Sequence, residues 1–96
     1  MAVLDPSTVD AALSQGMKWT REGAELVKVH TGHVFSDALA YVNAVGALAE
    51  KVDHHPDIDI RWNRVTLRLT SHSEGGLTQA DLELARRIDD LPNESS

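Results

Sequence analysis

A chain of 96 residues with a formal net charge of −6 at pH 7 and no cysteine is one small domain, able to bury about two-thirds of the surface its unfolded form exposes. The absence of cysteine excludes a disulfide framework, thiolate metal sites and a nucleophilic thiol, and the acidic balance makes nucleic acid a poor partner because phosphate neutralisation needs Lys and Arg. No apolar run approaches the roughly 20 residues of a membrane span, and residues 1–15 hold no signal-peptide core, so a cytoplasmic protein is expected.

The first element is a short amphipathic helix over Ser7–Gln15, introduced by Pro-Ser-Thr and carrying Val9, Ala12 and Leu13 on one side. From Met17 to Val34 the pattern is β-like, with Trp19 in one run, Val27 and Val29 in the next, and Glu22-Gly23 as the turn of a hairpin. Ser36 is a plausible N-cap for a long helix, because Ala38, Leu39, Tyr41, Val42, Val45, Leu48, Ala49 and Val52 recur at helical spacing up to about Asp53. Pro56 stops it and pushes His55 towards an extended conformation. A short strand follows over Asp57–Trp62, and Arg64–His72 then alternates strictly, Val65, Leu67 and Leu69 against Thr66, Arg68, Thr70 and His72. Gly75-Gly76 breaks that strand, and Thr78 opens a last helix with Leu84, Ala85, Ile88 and Leu91 inward. The order α-β-β-α-β-β-α predicts an α+β fold: a four-stranded antiparallel sheet with helices on one face, in a single domain over 1–96 whose ends, 1–6 and 92–96, fray.

The chemistry-bearing residues gather at element ends. His54 and His55 follow the long helix, and His72 ends the alternating strand. Imidazole titrates near pH 6.5, so histidines facing one substrate can divide proton donation and acceptance without a metal. The series Glu50, three residues, His54-His55-Pro56, five residues, Trp62, nine residues, His72, eight residues, Asp81 resembles the signature of the pterin-4a-carbinolamine dehydratase family. Gly75 to Thr78 and Leu84-Ala85 also look like family sequence, and the resemblance covers roughly Trp19 to Asp89. Ser71 departs from it, standing where the family is expected to carry threonine.

That resemblance implies a hydro-lyase that removes water from a 4a-hydroxytetrahydropterin, giving the quinonoid dihydropterin in tetrahydrobiopterin recycling. The pterin is then substrate, and no cofactor or metal is expected. His54 and His72 are the candidate acid and base, and His55 binds and orients the pterin. Glu50 and Asp81 fix imidazole tautomers or accept pterin N–H groups, Asp53 joins them in binding, Pro56 shapes the loop and Trp62 lines the pocket. A homo-oligomer is expected, dimer or tetramer, with a functional link to an aromatic amino-acid hydroxylase. The alternative is a non-catalytic assembly or dimer-stabilising partner on the same fold.

Each residue also has a plainer reading. The two adjacent histidines suit the negative end of a helix dipole, and Thr78-x-x-Asp81 is a capping signal. Glu50 lies about 150° from the apolar stripe, on the same side as His54 four residues on. Trp19, Phe35 and Tyr41 are assigned to packing, His30 and His33 to the surface, and Arg61, Arg64 and Arg68 to a solvated face. A metal site is disfavoured because adjacent histidines seldom reach one ion and no His-Glu-x-x-His spacing occurs.

Overall fold

The computed structural model describes residues 2–92. It comprises α1 (Pro6–Leu13), β1 (Thr20–Glu22), β2 (Glu25–Thr31), α2 (Phe35–Val52), β3 (Asp57–Arg61), β4 (Arg64–Leu69), a 3-10 turn at His72–Glu74 and α3 (Gln79–Asp89). The strands form one antiparallel sheet in the order β1-β2-β4-β3, so the α-β-β-α-β-β-α, α+β expectation is the observed fold.

Register decides which side chains meet. Leu26 lies opposite Leu69, Lys28 opposite Leu67 and His30 opposite Val65, and antiparallel partners project to the same face. Val65, Leu67 and Leu69 are fully buried there, in one cluster with Val9 of α1, Ala38, Tyr41 and Val45 of α2, and Leu84, Ala85 and Ile88 of α3. The reverse face pairs Val29 with Thr66, Thr31 with Arg64 and Asp59 with Thr66, and carries Arg61, Arg64 and Arg68. Arg68 there reaches Glu22 and Glu25.

Local differences from the sequence expectations have local causes. α2 starts one residue before Ser36, because the Asp37 carboxylate reaches back to accept the N–H groups of His33 and Val34 at 2.8 and 3.1 Å. An acceptor inside the first turn does the work expected of a hydroxyl ahead of it. His72 begins a 3-10 turn rather than ending β4, which stops at Leu69. His30 is half-buried, stacked on Tyr41 with ring centroids 3.8 Å apart, whereas Phe35 is 44% exposed. Within the segment 1–6, of which residue 1 lies outside the described residues, the Leu4 N–H donates to the Leu77 carbonyl at 2.7 Å. Of the expected C-terminal fray, residues 93–96 lie outside the described residues. Among the described residues, no helix is long and apolar enough to cross a membrane.

Candidate active site

Three chain reversals converge at one end of the sheet. The first closes α2. Asp53 sits in the left-handed region at φ 52°, its N–H bonds the Glu50 carbonyl at 3.4 Å, and the His54 N–H bonds the Ala49 carbonyl at 3.1 Å. This 6→1 and 5→2 pair is a Schellman motif, and it turns His54 off the helix axis towards the start of α3. Pro56 then commits His55 to extended backbone leading into β3.

The second reversal follows β4. Ser71 is held to Gly76 by a backbone bridge, its N–H donating to the Gly76 carbonyl at 3.1 Å, and the intervening His72–Glu74 turn ends at Gly75 with φ 78°. The positive φ is a position where glycine costs least. The third is the N-terminus of α3, where the Asp81 carboxylate accepts the Thr78 N–H at 2.9 Å. The sequence signal for a cap at Thr78 and Asp81 is met in this bond.

Between these turns lies an open cavity of about 390 Å³, lined by Asp53, His54, His55 and His72 together with Thr70, Ser71, Ser73, Glu74, Thr78 and Ala80. All three histidines singled out by spacing thus face one space. Asp81 does not line it: its side chain is fully buried behind His54, whose Nε2 lies 2.5 Å from Asp81 Oδ1. Ser71 Oγ lies 2.8 Å from Asp81 Oδ2 and 2.8 Å from Thr78 Oγ1. The buried carboxylate is therefore both the cap of α3 and the anchor of His54. Glu50 pairs with His55 Nε2 on the outer rim, where both side chains are exposed, in agreement with its position far from the apolar stripe. Pro56 acts through the backbone, next to the cavity.

Trp62 is not brought to this cavity. It occupies the β3–β4 turn with φ 53°, 65% exposed, stacked on Phe35 at a centroid distance of 6.4 Å. It lies one residue beyond the end of β3, whose four steps from Asp57, beside the histidines, to Arg61 already span about 14 Å. The residues that sequence reasoning passed over are Ser71 and Thr78 as parts of the site: both are small hydroxyls whose importance comes from Asp81, and only the folded chain brings the three together. Among the described residues, no three His, Asp or Glu side chains are grouped so as to hold a metal ion.

Chemically, the arrangement offers two imidazoles and a third at the rim in a water-accessible cavity, one of them oriented by a buried carboxylate. Such a set can hand a proton to a leaving oxygen and take one from a ring nitrogen.

Comparisons with known proteins agree with this geometry. A family model described as Pterin 4 alpha carbinolamine dehydratase matches residues 2–91. A protein of Thermomicrobium roseum, named provisionally as a pterin-4-alpha-carbinolamine dehydratase, is 46% identical over 91 residues, 95% of this chain and 98% of its own. One of Mycobacteroides abscessus with the same provisional name is 49% identical over 89 residues, 93% and 95% of the two chains. Among solved structures, a transcriptional coactivator/pterin dehydratase from Brucella melitensis superposes with a TM-score of 0.84 at 30% identity, covering 91% of this chain and 95% of its own. A pterin dehydratase-like protein described as a RuBisCO assembly factor in the alpha-carboxysome gives 0.63 at 25% identity, covering 83% and 92%. With its signature histidines gathered in one cavity and residues 2–91 matched, the chain belongs to the pterin 4 alpha carbinolamine dehydratase family.

Proposed function

We propose that this chain dehydrates a 4a-hydroxytetrahydropterin by histidine general acid–base catalysis. The observation that carries the reading is the meeting of His54, His55 and His72 in one cavity, with His54 backed by buried Asp81. In the reaction the C4a–O bond breaks as one imidazolium protonates the departing hydroxyl. The other imidazole takes a proton from the ring nitrogen, a C=N bond forms, and one water leaves. His54 and His72 carry these transfers, and His55, steadied by Glu50, orients the pterin. The carbinolamine already loses water unaided, so acid–base catalysis of about 10²–10⁴-fold with positioning suffices, and the reading needs no metal or cofactor. On this reading the protein works in the cytoplasm, and its substrate is supplied by an aromatic amino-acid hydroxylase.

The same reading includes a homo-oligomer. β3 is an open sheet edge, and Ile58 and Ile60 on it are 38% and 37% exposed; Leu39 and Phe35 of α2 are exposed as well. Paired with a second copy of itself about Asp59, the strand sets each Asp57 against an Arg61 and each Ile58 against an Ile60.

The test is the decay of enzymatically generated 4a-hydroxytetrahydropterin, followed by ultraviolet absorbance after chelator treatment of the protein. Acceleration proportional to protein is expected; a folded protein that leaves the decay unchanged defeats the reading. The exposed apolar side chains also suit a second reading, a protein-binding role like that of the coactivator and the assembly factor among the structural neighbours. A pull-down that recovers a partner alongside an inactive assay would favour it.

A further inference from the structure

Asp81 is fully buried, and a carboxylate removed from water needs a donor for each oxygen it presents. Three donors reach it. Oδ2 receives the Thr78 N–H at 2.9 Å and the Ser71 hydroxyl at 2.8 Å, and Oδ1 meets His54 Nε2 at 2.5 Å. Ser71 Oγ also lies 2.8 Å from Thr78 Oγ1, and Ser71 and Thr78 are themselves only 7% and 1% exposed.

These distances fix the direction of every bond. A carboxylate only accepts, so the single Ser71 hydroxyl proton is committed to Asp81. The Thr78 hydroxyl proton is then the one that fills the gap to Ser71 Oγ. On the other side, His54 Nε2 must carry its proton to meet Asp81, which leaves Nδ1 as the ring nitrogen free for chemistry. Two donors on Oδ2 also stop the carboxylate from rotating, so the imidazole it holds keeps one plane and one tautomer.

We propose that Ser71 is a positioning residue: through Asp81 it keeps His54 in the Nε2–H tautomer, so that Nδ1 is the atom through which His54 exchanges a proton with the pterin. The chemical half rests on the dehydratase reading, whereas the hydrogen-bond chain Thr78 to Ser71 to Asp81 from one side and His54 to Asp81 from the other does not. Ser71 supplies no atom to the substrate in this account. Its effect is on how fast the bound pterin turns over, not on how tightly it binds.

The experiment joins a spectrum to kinetics. Long-range proton–nitrogen NMR of the nitrogen-15-labelled protein, with the ring of His54 neutral, is expected to show Nε2 protonated and Nδ1 bare. Ser71→Ala is expected to mix the two tautomers and lower kcat roughly tenfold with KM nearly unchanged, and Ser71→Thr, which keeps the hydroxyl, to restore both. A wild-type His54 in the Nδ1–H tautomer overturns the proposal, and so does a Ser71→Ala protein with the wild-type tautomer and kcat. If Ser71→Ala does not fold, the wild-type spectrum and Ser71→Thr still decide. A wild-type chain without dehydratase activity, in which Ser71→Ala nevertheless mixes the tautomers, overturns the dehydratase reading while supporting the role of Ser71 in orienting His54.

Discussion

At the scale of single residues, the site separates side chains that face the cavity from those that act behind it. His54→Ala and His72→Ala each remove a cavity-facing imidazole without opening the core, so each is expected to lower turnover at least roughly tenfold with an unchanged circular dichroism spectrum; near-normal rates in both folded variants would defeat their assignment. His30 differs in kind. It lies under the helices against Tyr41, and desolvation first, then the Lys28 charge, pushes its pKa below the ordinary 6.5, with Asp37 opposing. The folded chain thus prefers neutral His30, while the unfolded chain takes up the proton once pH falls below about 6.5. Its contribution is present above that pH and lost as pH falls through the lower, folded value. The denaturant midpoint should therefore drop more between pH ~7.5 and ~5 in the wild type than in His30→Gln; equal drops would remove His30 as the cause. Their place at element ends and the family resemblance singled out the three cavity histidines. Spacing could not separate His30 from a surface residue, because its position opposite Val65 depends on register, nor remove Trp62 from the cavity, because that depends on where β3 leads.

At the scale of elements, function is placed by how helices begin and end. The left-handed Asp53 at the end of α2 is what sends His54 towards Asp81. Asp tolerates that conformation better than most residues, and a β-branched side chain does not. Asp53→Val is expected to cost about 1–2 kcal/mol and to reduce turnover by displacing His54, whereas Asp53→Gly keeps the turn and changes stability by less than about 1 kcal/mol. Urea unfolding beside the dehydration assay reads both; equal stability of the two variants would show that the turn is not what holds the residue. The helix periods, the alternation of β4 and the stop at Pro56 were all legible, since each is written in neighbouring residues. The cap of α2 moved two residues, from Ser36 to Val34, because Ser36 and Asp37 both carry acceptors and only the folded geometry selects the carboxylate. The cap role of Asp81 was legible in neighbouring residues, whereas its pairing with an imidazole was implied only by the family resemblance, and the fold selects His54, 27 positions away, as that partner.

At the scale of the whole molecule, a thin core and an unpaired edge set the same requirement. A chain of this length buries about two-thirds of the surface its unfolded form exposes, less than a larger domain does, and the edge of β3 leaves backbone groups and two isoleucines uncovered. Long apolar edges invite pairing, and the alternation Asp-Ile-Asp-Ile-Arg over Asp57–Arg61 selects a partner. In an antiparallel pair centred on Asp59 the terminal charges attract and the isoleucines meet, while the central aspartates face each other. The Arg61 guanidinium, whose Nε lies 3.1 Å from Asp59 on its own strand, offsets that repulsion. Self-association through this strand is thus expected, and Ile60→Lys should oppose it by placing two like charges into the apolar part of the contact. Sedimentation is expected to give an assembly larger than one chain for the wild type and a smaller species for Ile60→Lys. Because the histidine cavity is built within one chain, the smaller species should retain measurable turnover. An Ile60→Lys protein that sediments like the wild type would place the contact elsewhere. One that dissociates, stays folded and loses all activity would show that the cavity needs a second copy to work.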